Sequence, residues 1–392
     1  MLDHLETVAV QSIPPEGGIT KISSIVRAMT PNRNLRLSVV EQSPLRKGGS
    51  GQDALQETIE LARVADVLGY ERFWVAEHHN IQSIASTSPE IMIGQIGAAT
   101  TRIRIGSGGV MLPHYSAFKV AENFRMLETL FPGRIDLGLG RAPGGDQRTA
   151  AALDYPSAPI DVRAYPEQVD DLIGFLGDRL PDDHPFKDLR AGAPTVGIPE
   201  VWLLGSGIDS ARLAAHRGLP FSFAHFFGQA SQGPAIVAHY REEFRPSREC
   251  GEPKVHIAAQ VMCADTQEEA EWHASSLRLG RIQMARNEKR EGIVSPEEAS
   301  EHVFTPEELR FLESSGMRGT TGDLAHVVAE LDDLSEQYAA DHFGIVTICY
   351  DFKARLHSYE LLAEAYLSRE SETAKAIASQ SLPPSAEPSK SE

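Results

Sequence analysis

Cysteine is scarce in this chain, with Cys250, Cys263 and Cys349 the only three among 392 residues. They stand far apart without C-x-x-C spacing, which gives neither a zinc knuckle nor a disulfide framework, so reduced structural thiols are expected. Positive charge is scarce as well: 37 Lys and Arg face 55 Asp and Glu, a formal net charge of -18 at pH 7. Such a chain repels phosphate backbones and anionic lipid unless a local basic patch intervenes, and the sequence shows none. Nucleic-acid and membrane-surface partners are therefore not expected. Also missing is any apolar run near the roughly 20 residues that cross a bilayer. The opening MLDHLETVAV is acidic where a secretory signal begins with positive charge. These absences together point to a cytoplasmic protein that handles small molecules. What is present, 41% hydrophobic and 23% charged residues, is the composition of a soluble chain able to bury a large core.

Both ends read as additions. Residues 1–34 contain SIPPEGG and TPNRN, and residues 370–392 are a polar Ser/Pro/Glu stretch. Neither buries enough apolar surface to offset its ordering entropy, so an N-terminal extension and a disordered tail are expected around a body at 35–369. Within that body, short β-rich runs alternate with longer amphipathic ones. LRLSVV (35–40) precedes DALQETIELARVADVLG (53–69), where Leu55, Ile59, Ala62, Ala65 and Leu68 recur at helical spacing and Gly69 supplies the stop. The same pairing follows for RFWVA, RIRIGS, RIDLGLG, EVWLLG, PFSFAHF, VHIAAQVM and FGIVTIC (343–349). Eight such units predict an α/β fold of the TIM (β/α)8 barrel type. The C-terminal ends of its strands then carry Glu77 with His78, Gly108 with Gly109, Arg141, and Ser206 with Gly207. Two loops are long, 141–160 and 287–321, and the second is a candidate lid ahead of the last unit.

Three motifs carry possible chemistry. Glu77, His78 and His79 admit a metal, an acid/base or a merely structural reading. Neighbouring strand residues point to opposite faces, and the spacing is not H-E-x-x-H, so no metal site is expected and one histidine is assigned to the active face. In EVWLLGSGIDSARLAA (200–215), Gly205, Gly207 and Ser210 nearly match a dinucleotide fingerprint. The following strand, however, lacks the acid that would hold a ribose. What remains is a helix N-terminus flanked by the Ser206 and Ser210 hydroxyls, suited to one phosphate, with Arg141 as a cationic partner. The alternative is a tight turn at Gly207 with Arg141 paired to a surface acid. In GSGGVMLP (106–113), three glycines just past a strand either let the backbone approach a flat ligand or form a flexible turn.

VAEHHN, the stretch from ATTRIRIGSGG through LGLGRAPGGD, and EVWLLGSGIDSARLAA, in this order and spacing, resemble the bacterial-luciferase-like family of flavin-dependent monooxygenases over residues 35 to about 367. The resemblance implies a TIM barrel in which His78 is the active-site histidine near the flavin and Gly108–Gly109 is a cis peptide beneath its ring. It implies that Arg141, Ser206, Gly207 and Ser210 grip the FMN phosphate, with Glu77 and Gly140 also at the cofactor. Two departures matter: luciferases proper carry a reactive cysteine at Gly140, and Ser206 replaces a carboxylate, so light emission is not implied. The implied reaction is that of reduced FMN with O2 to a C4a-peroxyflavin, which inserts one oxygen atom into an organic substrate, with His78 as proton donor or acceptor. No nicotinamide site is recognisable, so a separate flavin reductase is an expected partner, as is a second copy of the chain in a homodimer. Three other readings stay open: an F420-dependent oxidoreductase of the same superfamily, a non-catalytic flavin-binding protein, and a metal-dependent barrel hydrolase.

Overall fold

In the computed structural model, the described residues are 35–367 except 142–143, 157–160, 195–196, 229, 289 and 315–318. The expected extension at 1–34 and tail at 370–392 lie outside them. Among the described residues nine parallel strands form: β1 Arg36–Glu41, β2 Arg72–Val75, β3 Arg104–Met111, β4 Ile135–Gly140, β5 Glu200–Gly205, β6 Phe221–Ala224, β7 Val255–Ala264, β8 Gly319–Asp323 and β9 His342–Val346. Strands β1 to β7 pair with their sequence neighbours, and β9 fits between β7 and β1, so eight strands close into a ring. The predicted TIM barrel is present.

Alternation along the strands sorts their side chains into two cores. On the outside, Leu37, Val39, Phe73, Val75, Leu137 and Ile345 pack against the surrounding helices; on the inside, Val40, Trp74, Trp202, Ala258 and Val346 fill the barrel axis. The helix Gly51–Leu68 shows how local chemistry fixes an outer element. Ser50 and Asp53 form a reciprocal cap at its start, Leu61, Ala62 and Ala65 are buried, and Gly69 ends it at φ 94° with its N–H on the Ala65 carbonyl.

The structure departs from the sequence reading in three places. The glycines of GSGGVMLP lie inside β3, which runs on through a cis Gly108–Gly109 peptide to Met111, its register against β4 shifting between Ser107 and Val110. The long segment 287–321 is not a bare loop: it holds helices Pro296–Ser300 and Pro306–Ser314, and it ends in β8, which pairs with Gln260–Ala264 of β7 beside the closed ring. Likewise, 141–160 contains the helix Gln147–Asp154, capped by Asp146. Among the described residues, no helix is long and apolar enough to cross a membrane.

At the N-terminal end of the barrel the interior turns polar. Asp136 is fully buried and accepts from Arg72 Nη1 (2.8 Å), Trp74 Nε1 (2.9 Å) and Arg104 Nε (2.9 Å). Beside it, His342 Nε2 meets Ser38 Oγ at 2.7 Å, His256 Nδ1 meets Ser222 Oγ at 2.8 Å, and the two rings cross at 4.6 Å. Burial pushes His256 from 6.5 down to about 3 and His342 well below 6.5, with nearby charged groups adding to the shift. Both rings are thus neutral in the fold, while the unfolded chain takes up a proton at each below 6.5. Stability therefore rises with pH up to about 6.5 and is flat above it with respect to these groups. Going from pH 7 to pH 5 should cost roughly 2 kcal/mol per histidine. Urea titrations at both pH values should show this loss, and His342→Asn should remove one histidine's share; an undiminished pH slope in that variant would refute the assignment.

Candidate functional site

Extending the inward alternation past the strand ends locates the side chains that rim the C-terminal mouth. Val40 leads to Gln42, Trp74 to His78, Ala258 to Gln260, while Leu204, Phe226 and Ile348 pack on the inner core from above. His78 Nε2 lies 2.9 Å from Gln42 Oε1. Burial first, and then the charge of neighbouring His79, push its pKa below 6.5 against the opposing pull of the Gly144 carbonyl, so the ring is neutral at pH 7. A primary amide accepts from that nitrogen or, turned over, donates to it. Gln42 can therefore stay bonded in either protonation state of the ring.

His79 goes the other way. Its Nε2 meets Glu77 Oε1 at 2.7 Å and its backbone N–H donates to the Gly144 carbonyl at 2.9 Å. Glu77 is buried and also accepts from Tyr115 Oη (2.7 Å) and from the Met111 amide (3.0 Å). Its carboxylate thus ties the end of β2 to the end of β3. Burial first and then this charge raise the Tyr115 hydroxyl well above its ordinary range, so it stays a donor. The segment after β4 is seated on this knot. Gly144 takes φ 65°, and a Cβ on Gly145 would stand 2.7 Å from the His79 carbonyl oxygen, so neither position tolerates a side chain.

A second corner forms where β5 meets the helix Ile208–Arg217. Gly207 is its N-cap and offers no side chain to the first amides; Ser50, Asp146, Thr266, Ser295, Asp323 and Asp351 cap their helices with side-chain oxygens, while the helices after Ser88, Ser116, Ala164 and Gln232 also start without a side-chain cap. Gly207 has φ -140°, open to any residue, and a Cβ built there meets nothing within 4 Å. Neither conformation nor protein packing explains this glycine; open space over free amides fits an anion such as a phosphate. Arg141 reaches the same turn, its Nη1 3.7 Å from Asp209 Oδ2, with the guanidinium 44% exposed. Ser206 borders the corner half-buried, while Ser210 sits under the turn, so close that a Cβ on Gly205 would stand 2.5 Å from its Oγ.

The remaining glycines answer to the protein itself. A Cβ on Gly108 would lie 3.0 Å from Trp74 Cβ, one on Gly109 2.7 Å from the Gly138 carbonyl oxygen, and one on Gly140 2.7 Å from Met111 Cε. The crowding at 108 and 109 comes from β2 and β4. Sequence reasoning did not single out Gln42 or Gln260; both were accessible by counting two residues on from Val40 and Ala258. Among the described residues, no group of three or more His, Cys, Asp or Glu is placed to hold a metal.

A family model described as luciferase-like monooxygenase matches residues 36–342. The chain is 43% identical to the uncharacterized protein YwcH of Bacillus subtilis, over 84% of this chain and 98% of that protein. It is 37% identical to the N-acetyl-S-alkylcysteine monooxygenase of Bacillus subtilis, over 85% of this chain and 99% of that one. Among solved structures, apo-MsnO8 superposes with a TM-score of 0.77 at 37% identity, covering 84% of this chain and 98% of that one.

The Glu77 knot has a measurable weight. Glu77→Ala would orphan the half-buried Tyr115 hydroxyl and the Met111 amide and release His79, so unfolding free energy should fall by about 1 to 3 kcal/mol. Glu77→Gln, which keeps an acceptor, should lose clearly less. Equal losses in denaturant titrations would show that packing rather than hydrogen bonding holds this junction.

Proposed function

Because the chain belongs to the luciferase-like monooxygenase family, we propose that it is a flavin-dependent monooxygenase, using reduced FMN and O2 to place one oxygen atom in a small organic substrate. The observation that carries this reading is the pairing, on one face of the barrel, of the open anion corner at Gly207 with the neutral His78 held by Gln42. The amides after Gly207, with Arg141 and Ser206, would hold the FMN phosphate. When bound, the reduced flavin supplies the two electrons that oxygen insertion requires.

The protein's own share is orientation, desolvation and proton handling. Leu204, Phe226 and Ile348 line the mouth with apolar surface and keep water from the reacting atoms. The His78 ring, kept neutral by burial, takes a proton or returns it, while Gln42 at its Nε2 fixes the ring's plane. The Glu77 carboxylate holds the strand end that delivers His78. As partners we include a separate flavin reductase and a second copy of the chain. For the substrate, the similarity to an N-acetyl-S-alkylcysteine monooxygenase supports thioether acids as the first class to test.

Purified protein supplied with FMN, a flavin reductase and NADH should convert N-acetyl-S-methylcysteine to products labelled from isotopic O2. His78→Ala should lower that turnover about a hundredfold while leaving flavin binding intact. Activity with F420 and none with FMN would replace the cofactor in this reading, and full activity in His78→Ala would remove the histidine from it.

Arg141→Ala should weaken FMN about tenfold to a hundredfold, as loss of a charge-assisted phosphate contact does, yet leave riboflavin nearly unchanged. Fluorescence titrations with the two flavins measure the difference directly. Equal weakening of both would place Arg141 away from the phosphate.

A further inference from the structure

The chain that leaves β1 is held by two costly features. Glu41, the last residue of β1, is buried, and its Oε1 accepts from the Ser43 amide (2.9 Å), from Arg355 Nη1 (3.1 Å) and from Thr58 Oγ1 (3.1 Å). Arg355 comes from the helix Phe352–Tyr366 and is itself buried. Such a buried ion pair adds little net stability over well-packed apolar residues of similar volume. Two residues on, Ser43 takes φ 49°, a left-handed conformation that costs energy for a residue with a side chain. Hydrogen bonds keep it there: its carbonyl accepts from the Ala85 amide at 2.9 Å, and its Oγ lies 2.9 Å from Thr58 Oγ1. The expense is geometric in its effect, since it fixes the backbone on both sides of one residue.

That residue is Gln42, whose buried side chain brings Oε1 to 2.9 Å from His78 Nε2. Among the described residues, no other side chain is hydrogen-bonded to the ring. The remaining influences on it act differently. The Gly144 carbonyl favours the charged ring, whereas burial and His79 oppose it. His79 is tied to Glu77, which also holds Tyr115, and Glu41 is turned away to Arg355. The His78 backbone is anchored by its N–H on the Ser86 carbonyl at 3.2 Å. A neutral imidazole carries one proton between two nitrogens, so a group that fixes the state of Nε2 also fixes that of Nδ1. A clamped amide at Nε2 is placed to do this, because a side chain with two-fold choice of donor or acceptor selects one tautomer only when its own backbone cannot drift.

We propose that Gln42 is the positioning residue of His78, held in place by the Glu41–Arg355 pair and the Ser43 turn, and that its amide decides which ring nitrogen carries the proton. The inference rests on the monooxygenase reading for its use and deepens the part of His78 in it. Its first test needs no turnover. Purified protein labelled with 15N-histidine is followed by NMR across the pH range, without and with FMN, the His78 signals being assigned by their loss in His78→Asn. The wild-type ring should show a single neutral tautomer. Gln42→Leu, of similar size, should change the proportion of the two tautomers while FMN affinity and the melting midpoint stay nearly the same. Gln42→Glu can only accept, so it should hold the proton on Nε2 and raise the pH at which the ring titrates by about 1 to 3 units. With N-acetyl-S-methylcysteine, Gln42→Leu should lower kcat about tenfold at unchanged KM. The pH below which kcat falls should rise in Gln42→Glu along with the ring's titration. A mixture of tautomers in the wild type, the same proportion in Gln42→Leu, or an unmoved titration in Gln42→Glu overturns the proposal. A lowered melting midpoint in Gln42→Leu with the tautomer unchanged overturns it too, because Gln42 would then serve packing alone. If the tautomer depends on Gln42 but the wild type forms no oxygenated product with reduced FMN and O2, the positioning stands and the monooxygenase reading falls. If product forms at equal rates and with one pH dependence in the wild type and both variants, the reverse holds.

Discussion

One buried carboxylate, Asp136, organises the part of the barrel on which the active face is built. A fully desolvated charge persists only when its oxygens are saturated by strong donors, and Arg72, Arg104 and Trp74 saturate them. Those donors start β2 and β3 or lie within β2, so a single group on β4 fixes three adjacent strands against one another. The Trp74 ring, locked by its bond to Asp136, then becomes the floor beneath Gly108. The closeness of β3 to β4 leaves no room for a Cβ at Gly106, Gly109 or Gly138. The upper ends of the same three strands carry His78, Met111 and the approach to Arg141. Precision at the mouth is inherited from polar packing at the opposite end.

Much of this was legible in the residue order. The eight barrel strands stand out because each is a short β-branched or aromatic run between amphipathic helices, and the capping pair Ser50 and Asp53 announces one helix before any coordinate is known. The open turn at Gly207 could be read from a strand followed by glycine and a helix. Strand β8 could not be read. GTTGD has neither apolar residues nor alternation, and it is extended because β7 offers it a hydrogen-bonding edge. The same holds for Gly108 and Gly109, whose place inside β3 depends on the surfaces of β2 and β4, contacts remote in sequence. Glu77 shows a subtler limit. Its position beside two histidines invites a chemical role, whereas its hydrogen bonds go to Tyr115, Met111 and His79.

Adjacent histidines in EHH have opposite surroundings although their chemistry is identical. Just past the end of β2, the chain turns His78 to a neutral amide and His79 to a carboxylate. The first is kept uncharged by burial, as the proposed proton exchange at the mouth would need; the second is hydrogen-bonded to the carboxylate that also holds Tyr115 and the Met111 amide. Two residues that a composition count cannot separate thus meet different partners, an amide for one and a carboxylate for the other.

Strand β7 has a further consequence through its length. Its lower half closes the ring, and its upper half, from Gln260 to Ala264, pairs with Gly319 to Asp323. The polypeptide leaving β7 and the polypeptide returning in β8 therefore run side by side, ladder-bonded, with helices Gln267–Ala285, Pro296–Ser300 and Pro306–Ser314 between them. An excursion whose two ends are clamped together can change length without moving those ends, and it meets the body again where Ile293 bonds Leu45 and Lys47. Lengthening it costs only loop-closure entropy, which grows with the logarithm of its length. The roof over the mouth can thus be remodelled, residue by residue or helix by helix, while the ring beneath keeps its register.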